Sequence, residues 1–413
     1  MCLSDKSICT SLQAGEGGEE EAVGQQETGD GTADQPATAQ QSQAESQEMV
    51  TQASQTECHI TTAQATQTEV SLVHAPGDIV LNSEETEADA YMSAALGSDY
   101  SPSSSEADND EEEEGIDYLS LHRTRTMCKK FPKRYIGVPD DAMFVIDLLA
   151  AEVVQPLQGS GAKLSAYDVC LLVLMKVKQD RQFCYLADDF GISRSYAGRL
   201  FAKYVCVIGD ALSDFIVWPK EEVIRKYLPL AFKARFSSVT CLIDCLEIEI
   251  EKPSAALDQS LTWSSYKACN TLKYLISITP NGLINFISDG FGGRASDMAV
   301  LQRSGFLLRL KPGMVVMADR GFKAVEPALV SVGCSLVRPE SVTANAVLQK
   351  DQVLWSKQVA SLRIHVERAI RRVREYAMLR PHAVVDAKLA DYADSCMLIA
   401  CGLVNVQEPL IKV

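Results

Sequence analysis

The chain has 413 residues, 46% of them hydrophobic, with 55 acidic and 39 basic side chains and a formal net charge of −16. That length accommodates two or three domains and a sizeable core. No run approaches the roughly 18 to 20 uninterrupted apolar residues of a membrane span, and MCLSDKSICT at the start lacks the basic-then-apolar pattern of a secretion signal, so a soluble intracellular protein with no membrane partner is expected.

The charge is segregated. Residues 1–120 hold 26 of the acidic side chains and one basic residue, Lys6, which leaves the rest of the chain with a net charge of +9. A basic body suits a polyanionic partner such as DNA. The thirteen cysteines form no CxxC pair and no short disulfide spacing, and read as reduced core residues. Cys2, Cys9, Cys58 and His59 lack finger spacing and read as solvated side chains.

Residues 1–118, rich in Gln, Thr, Ser, Ala, Gly and Glu, show no sustained apolar period and are expected to form a disordered acidic tail. Its charge suits plain solubilisation or mimicry of DNA phosphate. Residues 119–139 reverse the charge as a basic linker carrying Arg123, Arg125, Lys129, Lys130, Lys133 and Arg134. Such a cluster serves as a nuclear-import signal or a DNA-backbone contact, and the nucleus is the expected location.

From 140 to 218 apolar residues return every three or four positions, and Ser165 is placed to cap a helix. Within this helical stretch, QFCYLADDFGISRSYAGRLFAKYV has the pattern of a helix-turn-helix. Phe183, Leu186 and Ala187 mark a short helix, Gly191 the turn, Ile192 the plug, and Ser193 the cap of a second helix through Tyr204. On that reading Arg194, Ser195, Tyr196 and Arg199 reach bases or phosphates, Lys203 meets the DNA backbone, and Ala197, Leu200, Phe201 and Tyr204 face inward. An ordinary helical hairpin with solvated arginines satisfies the same pattern.

From 237 to 408 the period changes. SVTCLIDCLEIEIEK, NTLKYLISIT and GMVVMADRGF read as strands, with a hairpin at Asn281-Gly282 leading into LINFIS. VASLRIHVERAIRRVREYAML reads as a long helix with an apolar stripe of Leu362, Val366, Ala369, Val373 and Tyr376. The pattern is mixed α/β.

Three acids stand out there. Asp244 lies among Leu242, Ile243 and Leu246, where an ionised carboxylate is costly without a cation. Asp319 ends MVVMAD, at a strand's carboxyl edge. Glu367 lies about 140° from Leu362 at roughly 100° per residue, just off the buried stripe; its neighbours Arg363, Arg371 and Arg374 also suit simple i,i+4 ion pairs. Glu247 and Glu249 read as solvent-facing or structural, and Asp297 as a metal ligand or a loop anchor. Trp263, Ser264, Ser265, Tyr266 and Lys267 suit a grip on a DNA strand by stacking plus a phosphate contact, or a loop pinned by a buried Trp263.

IDCLEIEIEKP, QSLTWSSYKACNTLKYLISITPNG, MADRGF and SLRIHVERAIRRVREYAML resemble, in that order, the catalytic domain of PIF/Harbinger-like transposases, DDE superfamily endonucleases, and the resemblance extends over about residues 140–408. It implies an RNase H-like α/β domain preceded by an all-α helix-turn-helix domain. It also implies Asp244, Asp319 and Glu367 as catalytic metal ligands for Mg²⁺ or Mn²⁺, and phosphodiester cleavage by two metal ions. DNA is the implied partner, with an accessory DNA-binding protein and an oligomer allowed. Some relatives carry an N-terminal zinc-dependent DNA-binding module, and here that position holds the acidic stretch. A relative that keeps the fold and DNA binding but has lost cleavage is the alternative.

Overall fold

The computed structural model describes residues 116–158, 163–340 and 349–411. The expected acidic tail lies outside them except for its last three residues, as do Cys2, Cys9, Cys58 and His59.

Residues expected to be a basic linker are helical instead. Helix α1, Tyr118–Lys130, starts on the Asp117 carboxylate, which accepts from the Leu119 N–H at 3.0 Å. Its buried face is Leu121, Thr124 and Cys128. Arg125, read as part of a DNA-facing or import cluster, instead donates from Nε and Nη2 to both oxygens of Asp168 at 2.6 Å. Asp168 is fully buried and also completes the capping box of α3, Ala166–Gln179, with Ser165, the cap expected from sequence. The bidentate guanidinium is what allows a carboxylate there. Arg123, Lys129, Lys130, Lys133 and Arg134 stay exposed.

Helix α2, Phe144–Leu157, packs on α3, and a helical pair follows: α4, Phe183–Phe190, then α5, Arg194–Ser213. Between them Gly191 sits at φ +63, and a Cβ there would lie 2.5 Å from the Asp117 carbonyl oxygen, so both the turn and the approach of α1 require glycine. Ser193 caps α5, its hydroxyl accepting from the Tyr196 N–H. The helix runs nine residues past the expected end at Tyr204 because Val205, Ile208 and Leu212 find a partner that local sequence does not reveal, the C-terminal helix.

The sheet is built on β1, Val239–Glu249. It pairs antiparallel with β3, Cys269–Ile278, and parallel with β6, Val315–Met317, which pairs parallel with β7, Ser335–Val337. The short β2, Trp263–Ser264, β4, Ile284–Ile287, and β5, Phe291–Gly292, all pair with β3. The hairpin from β3 to β4 turns at Gly282, φ +93, as its sequence predicts. Alternation along β1 divides the two faces: Leu242 and Leu246 join the core shared with the helices, whereas Cys241 and Ile243 join a second core with Val300 and Leu301 of α6, Asp297–Arg303.

Helix α7, Lys350–Val373, covers the first face with Val359, Leu362, Val366, Ala369 and Val373. It begins nine residues before the expected start, on a capping box between Gln349 and Gln352. The last helix, α8, Ala393–Val406, ties sheet to helical body. Gly209 of α5 and Gly402 of α8 let the two backbones close: a Cβ on Gly402 would lie 2.5 Å from the Leu212 carbonyl oxygen. Asn405 accepts from the Ile284 N–H at 2.9 Å and donates to the Phe215 and Ile284 carbonyls at 2.9 and 2.7 Å. The boundary expected between 218 and 237 is therefore no break in packing, since one apolar core runs from Leu121 to Val404. The stretch Ala387–Val406 is long and apolar enough to cross a membrane by composition, but Cys396, Ile399, Ala400, Cys401 and Leu403 are all buried in that core. All ten cysteines among the described residues are free thiols.

Removing Arg125 strands a buried carboxylate. Arg125→Ala is expected to lower unfolding stability by about 3 kcal/mol, read by urea denaturation; a loss under 1 kcal/mol would show that Asp168 is held some other way.

Candidate active site

Strand register brings the first two acids together. Leu242 of β1 is the Cα partner of Met317 of β6, and the strands are parallel. Asp244 and Asp319 each follow that pair by two residues, so they stand at matching positions, on the same face, where adjacent strands run roughly 4.8 Å apart. The face is the one α7 covers. Asp319 lies one residue past Ala318, which follows the end of β6, in extended backbone (φ −71, ψ 165) that leads into the turn at Arg320.

Helix α7 supplies the third acid and a cation between them all. Arg363 Nη2 donates to Glu367 Oε1 at 2.7 Å, its Nη1 lies 3.6 Å from Asp244 Oδ2, and its Nε lies 3.5 Å from Asp319 Oδ1. One guanidinium thus faces all three carboxylates. Only the bond to Glu367 meets hydrogen-bond geometry; the buried Nε counts as an ion-pair neighbour of Asp319 but has no hydrogen-bond acceptor. We read the Asp319 contact as electrostatic attraction and the Nε donor as unsatisfied. The i,i+4 spacing of Arg363 and Glu367 accounts for their pair, whereas nothing local in the sequence brings Arg363 to the two strand carboxylates.

The acids differ in exposure: the side chain of Asp244 is 21% exposed, Asp319 45% and Glu367 52%. Burial pushes the Asp244 carboxyl up to about 6, opposed by the Cys245 N–H, which donates to Oδ1 at 2.8 Å, and by Arg363, while Asp319 and Glu367 push it further up. Among the described residues no three His, Cys, Asp or Glu side chains stand close enough, as placed, to share a metal ion. The donor set nonetheless suits one: three hard carboxylates from three elements face a single positive charge, which leaves an excess of negative charge at the point where they meet.

The other predicted residues fall elsewhere. Asp297 begins α6 on the opposite face of the sheet, 3.5 Å from Lys273 Nζ, which lies equally far from Glu247. Glu249 accepts from the His382 N–H at 3.2 Å, a structural contact. Trp263 is exposed, so it does not pin its loop; the buried residue there is Ser264, and Tyr266 and Lys267 stand out with the Lys267 ammonium 5.6 Å over the Tyr266 ring. On α5, Arg194, Ser195 and Arg199 are exposed. Tyr196 and Lys203 are tied to backbone elsewhere in the helical body: the Tyr196 hydroxyl accepts from the Lys163 N–H at 2.9 Å, and Lys203 Nζ donates to the Pro156 carbonyl at 3.2 Å.

Residues 243–405 match the family model described as DDE superfamily endonuclease. This part of the chain is a DDE superfamily endonuclease domain. The match starts beside Asp244 and takes in Asp319, Arg363 and Glu367. A putative nuclease of Mus musculus, HARBI1, is 26% identical over 186 residues, 45% of this chain and 50% of that protein, so the chain spans about half the length of the curated relative it matches. No solved structure gives a significant match.

A carboxyl whose folded pKa exceeds its unfolded value opposes folding once ionised: the cost is absent below about pH 4, grows as pH rises, and is complete above about pH 6. For Asp244, raised from 3.8 to about 6, this amounts to up to about 3 kcal/mol. Asp244→Asn, unfolded in chelator, should be more stable than wild type at pH 8 and nearly equal at pH 4; a difference independent of pH would contradict this.

Proposed function

We propose that the protein is a metal-dependent DNA endonuclease of the transposase type, and the observation that carries the reading is the meeting of Asp244, Asp319 and Glu367 around one cation inside a DDE superfamily endonuclease domain. Strand β1, with antiparallel β3 on one side and parallel β6 and β7 on the other, supports an RNase H-like description of that domain.

Asp244, Asp319 and Glu367 are the residues that would hold Mg²⁺ or Mn²⁺. Bound there, one or two such ions supply an activated water or 3′-hydroxyl and stabilise the leaving oxygen in cleavage of a phosphodiester. The chain's own contribution is placement. Paired strands fix the two aspartates against each other, α7 brings Glu367 to them, and Arg363 keeps three like charges in one place. Arg194, Ser195 and Arg199, exposed on the first turns of α5, are the side chains we assign to DNA in the helix-turn-helix reading of α4 and α5. Exposed Lys267, beside Trp263 and Tyr266, is a further phosphate contact. Tyr196 and Lys203, bonded within the protein, are secondary in that role. A nuclear location, drawn from the exposed Arg123, Lys129, Lys130, Lys133 and Arg134, and an accessory DNA-binding protein complete the reading.

One observation favours a second reading, a DNA-binding regulator that no longer cuts. Arg363 stands among the carboxylates and supplies part of the charge balance that a metal would.

Supercoiled plasmid incubated with the protein and Mn²⁺ separates the two. Nicking by wild type, abolished in Asp319→Ala with DNA affinity retained, supports the nuclease; equal inertness of both proteins with DNA binding intact supports the regulator. Arg194→Gln with Arg199→Gln should weaken DNA binding by roughly 1 to 3 kcal/mol if α5 reads base edges, measured by anisotropy of a labelled duplex; unchanged binding would remove α5 from the interface.

A further inference from the structure

Beyond Glu367, α7 continues into a second feature. An open cavity of about 530 Å³ is lined by Glu367, Arg371, Arg374, Glu375, Arg380 and Pro381. It shares Glu367 with the carboxylate site, so the two are contiguous. One of its acids is bonded already, Glu367 to Arg363 at 2.7 Å, and beside the other Lys178 donates to the Glu375 backbone carbonyl at 3.0 Å. Its three arginines have no bonded partner among the described residues. No side-chain hydrogen bond or ion pair holds Arg371, Arg374 or Arg380 among the described residues, and Arg374 Nε is a buried donor with no acceptor. Arg372, by contrast, is spent on the Glu408 carbonyl at 2.6 Å.

A structural explanation for arginines at the end of a helix is attraction to its terminal carbonyls. Here the side chains of Arg371 and Arg374 make no such bond, and Arg380 lies beyond the helix on the loop after the turn Ala377–Leu379. A buried guanidinium donor without an acceptor costs free energy unless a ligand supplies one. The chemistry that satisfies three unpaired guanidinium groups on an open polar surface is phosphate, which they bind through paired N–H donors.

The reach of this surface along the helix suits a polymer's phosphates. Arg363, Glu367, Arg371 and Arg374 recur along one face of α7 at i, i+4, i+8 and i+11, a length of roughly 16 Å at about 1.5 Å per residue. One DNA strand advances about 3.4 Å per nucleotide, so the row spans about five nucleotides and ends in the cavity. We infer that the cavity lined by Arg371, Arg374 and Arg380 is a backbone subsite for the DNA strand that leads away from the carboxylate site. This deepens the nuclease reading and rests on DNA being the substrate. The subsite holds phosphates whatever the sequence, so it contributes affinity and strand position, with no preference among bases.

The test is a salt titration of duplex binding by the full chain, followed by anisotropy between about 50 and 200 mM salt. Arg374→Gln and Arg380→Gln should each reduce the slope of log affinity against log salt by about one and weaken binding uniformly across sequences. Arg374→Lys, which keeps the charge, should keep the slope, and so should Arg372→Gln. Circular dichroism and urea midpoints confirm that the variants remain folded. Wild-type binding with slopes unchanged in Arg374→Gln and Arg380→Gln overturns the subsite and leaves the nuclease reading standing. An equal loss in Arg372→Gln also overturns it, because the effect is then general charge. Inorganic phosphate that stabilises wild type but not Arg374→Gln, with the DNA slopes unchanged, makes the cavity a small-anion site and overturns the strand assignment. No DNA binding by wild type at any salt overturns both readings together.

Discussion

Everything at the centre of this molecule depends on holding three carboxylates near one another in a partly dry place. Ionised carboxylates repel, and removing one from water is expensive. The price appears in Asp244, whose carboxyl burial raises to about 6 even with Arg363 and the Cys245 N–H beside it. A fold maintains such an arrangement only when rigid elements leave the charges no room to separate. Here two aspartates are fixed by the parallel pairing of β1 with β6, and the glutamate by a 24-residue helix whose apolar stripe is buried in the core beneath it.

That requirement explains why the helical half and the sheet share one core. Helix α7 must not shift along the sheet, since a displacement of one turn would carry Glu367 and Arg363 out of reach of β1 and β6. Phe232 and Phe236, from the segment joining the halves, pack in tilted ring contacts against His365 and Trp355 of α7. The Tyr376 hydroxyl, just past its end, donates to the Gly137 carbonyl at 3.0 Å. Helix α8 then closes on α5 across Gly209 and Gly402, and Asn405 bonds strand β4 to the end of α5. The helical body therefore acts as the buttress of the endonuclease domain, whatever else its exposed arginines do.

Local chemistry was legible in the sequence wherever a few neighbouring residues decide it. Ser165 and Ser193 as caps, Gly191 and Gly282 as positive-φ turns, and the stripe from Leu362 to Val373 all sit where their side chains require. The mixed α/β character follows from the strand-like runs and the endonuclease domain from the family resemblance that the motifs carry, and the match over 243–405 supports the latter. Long-range pairings were not legible. Arg125 reads as one more base in a cluster until Asp168, 43 residues away, is found buried beside it. Trp263 reads equally as a stacking surface for DNA or as an anchor of its loop in the core, and only the tertiary structure shows that the loop presents it to solvent and buries Ser264. Arg363 reads as an i,i+4 partner of Glu367, and its approach to Asp244 and Asp319 exists only because α7 lies across the ends of two strands.

The position of Arg363 bears on what the carboxylates are for. If they are built for divalent ions, an arriving ion takes over charge that the guanidinium now balances, and Arg363 must yield at least its contact with Asp319. A crystal structure of the protein grown with Mn²⁺, with anomalous scattering recorded to locate the metal, tests this most directly. The predicted result is an anomalous peak bonded to Asp244 and Asp319, within reach of Glu367, with Arg363 drawn away from Asp319. An ordered site with no peak at saturating Mn²⁺, and Arg363 still facing all three carboxylates, would contradict it.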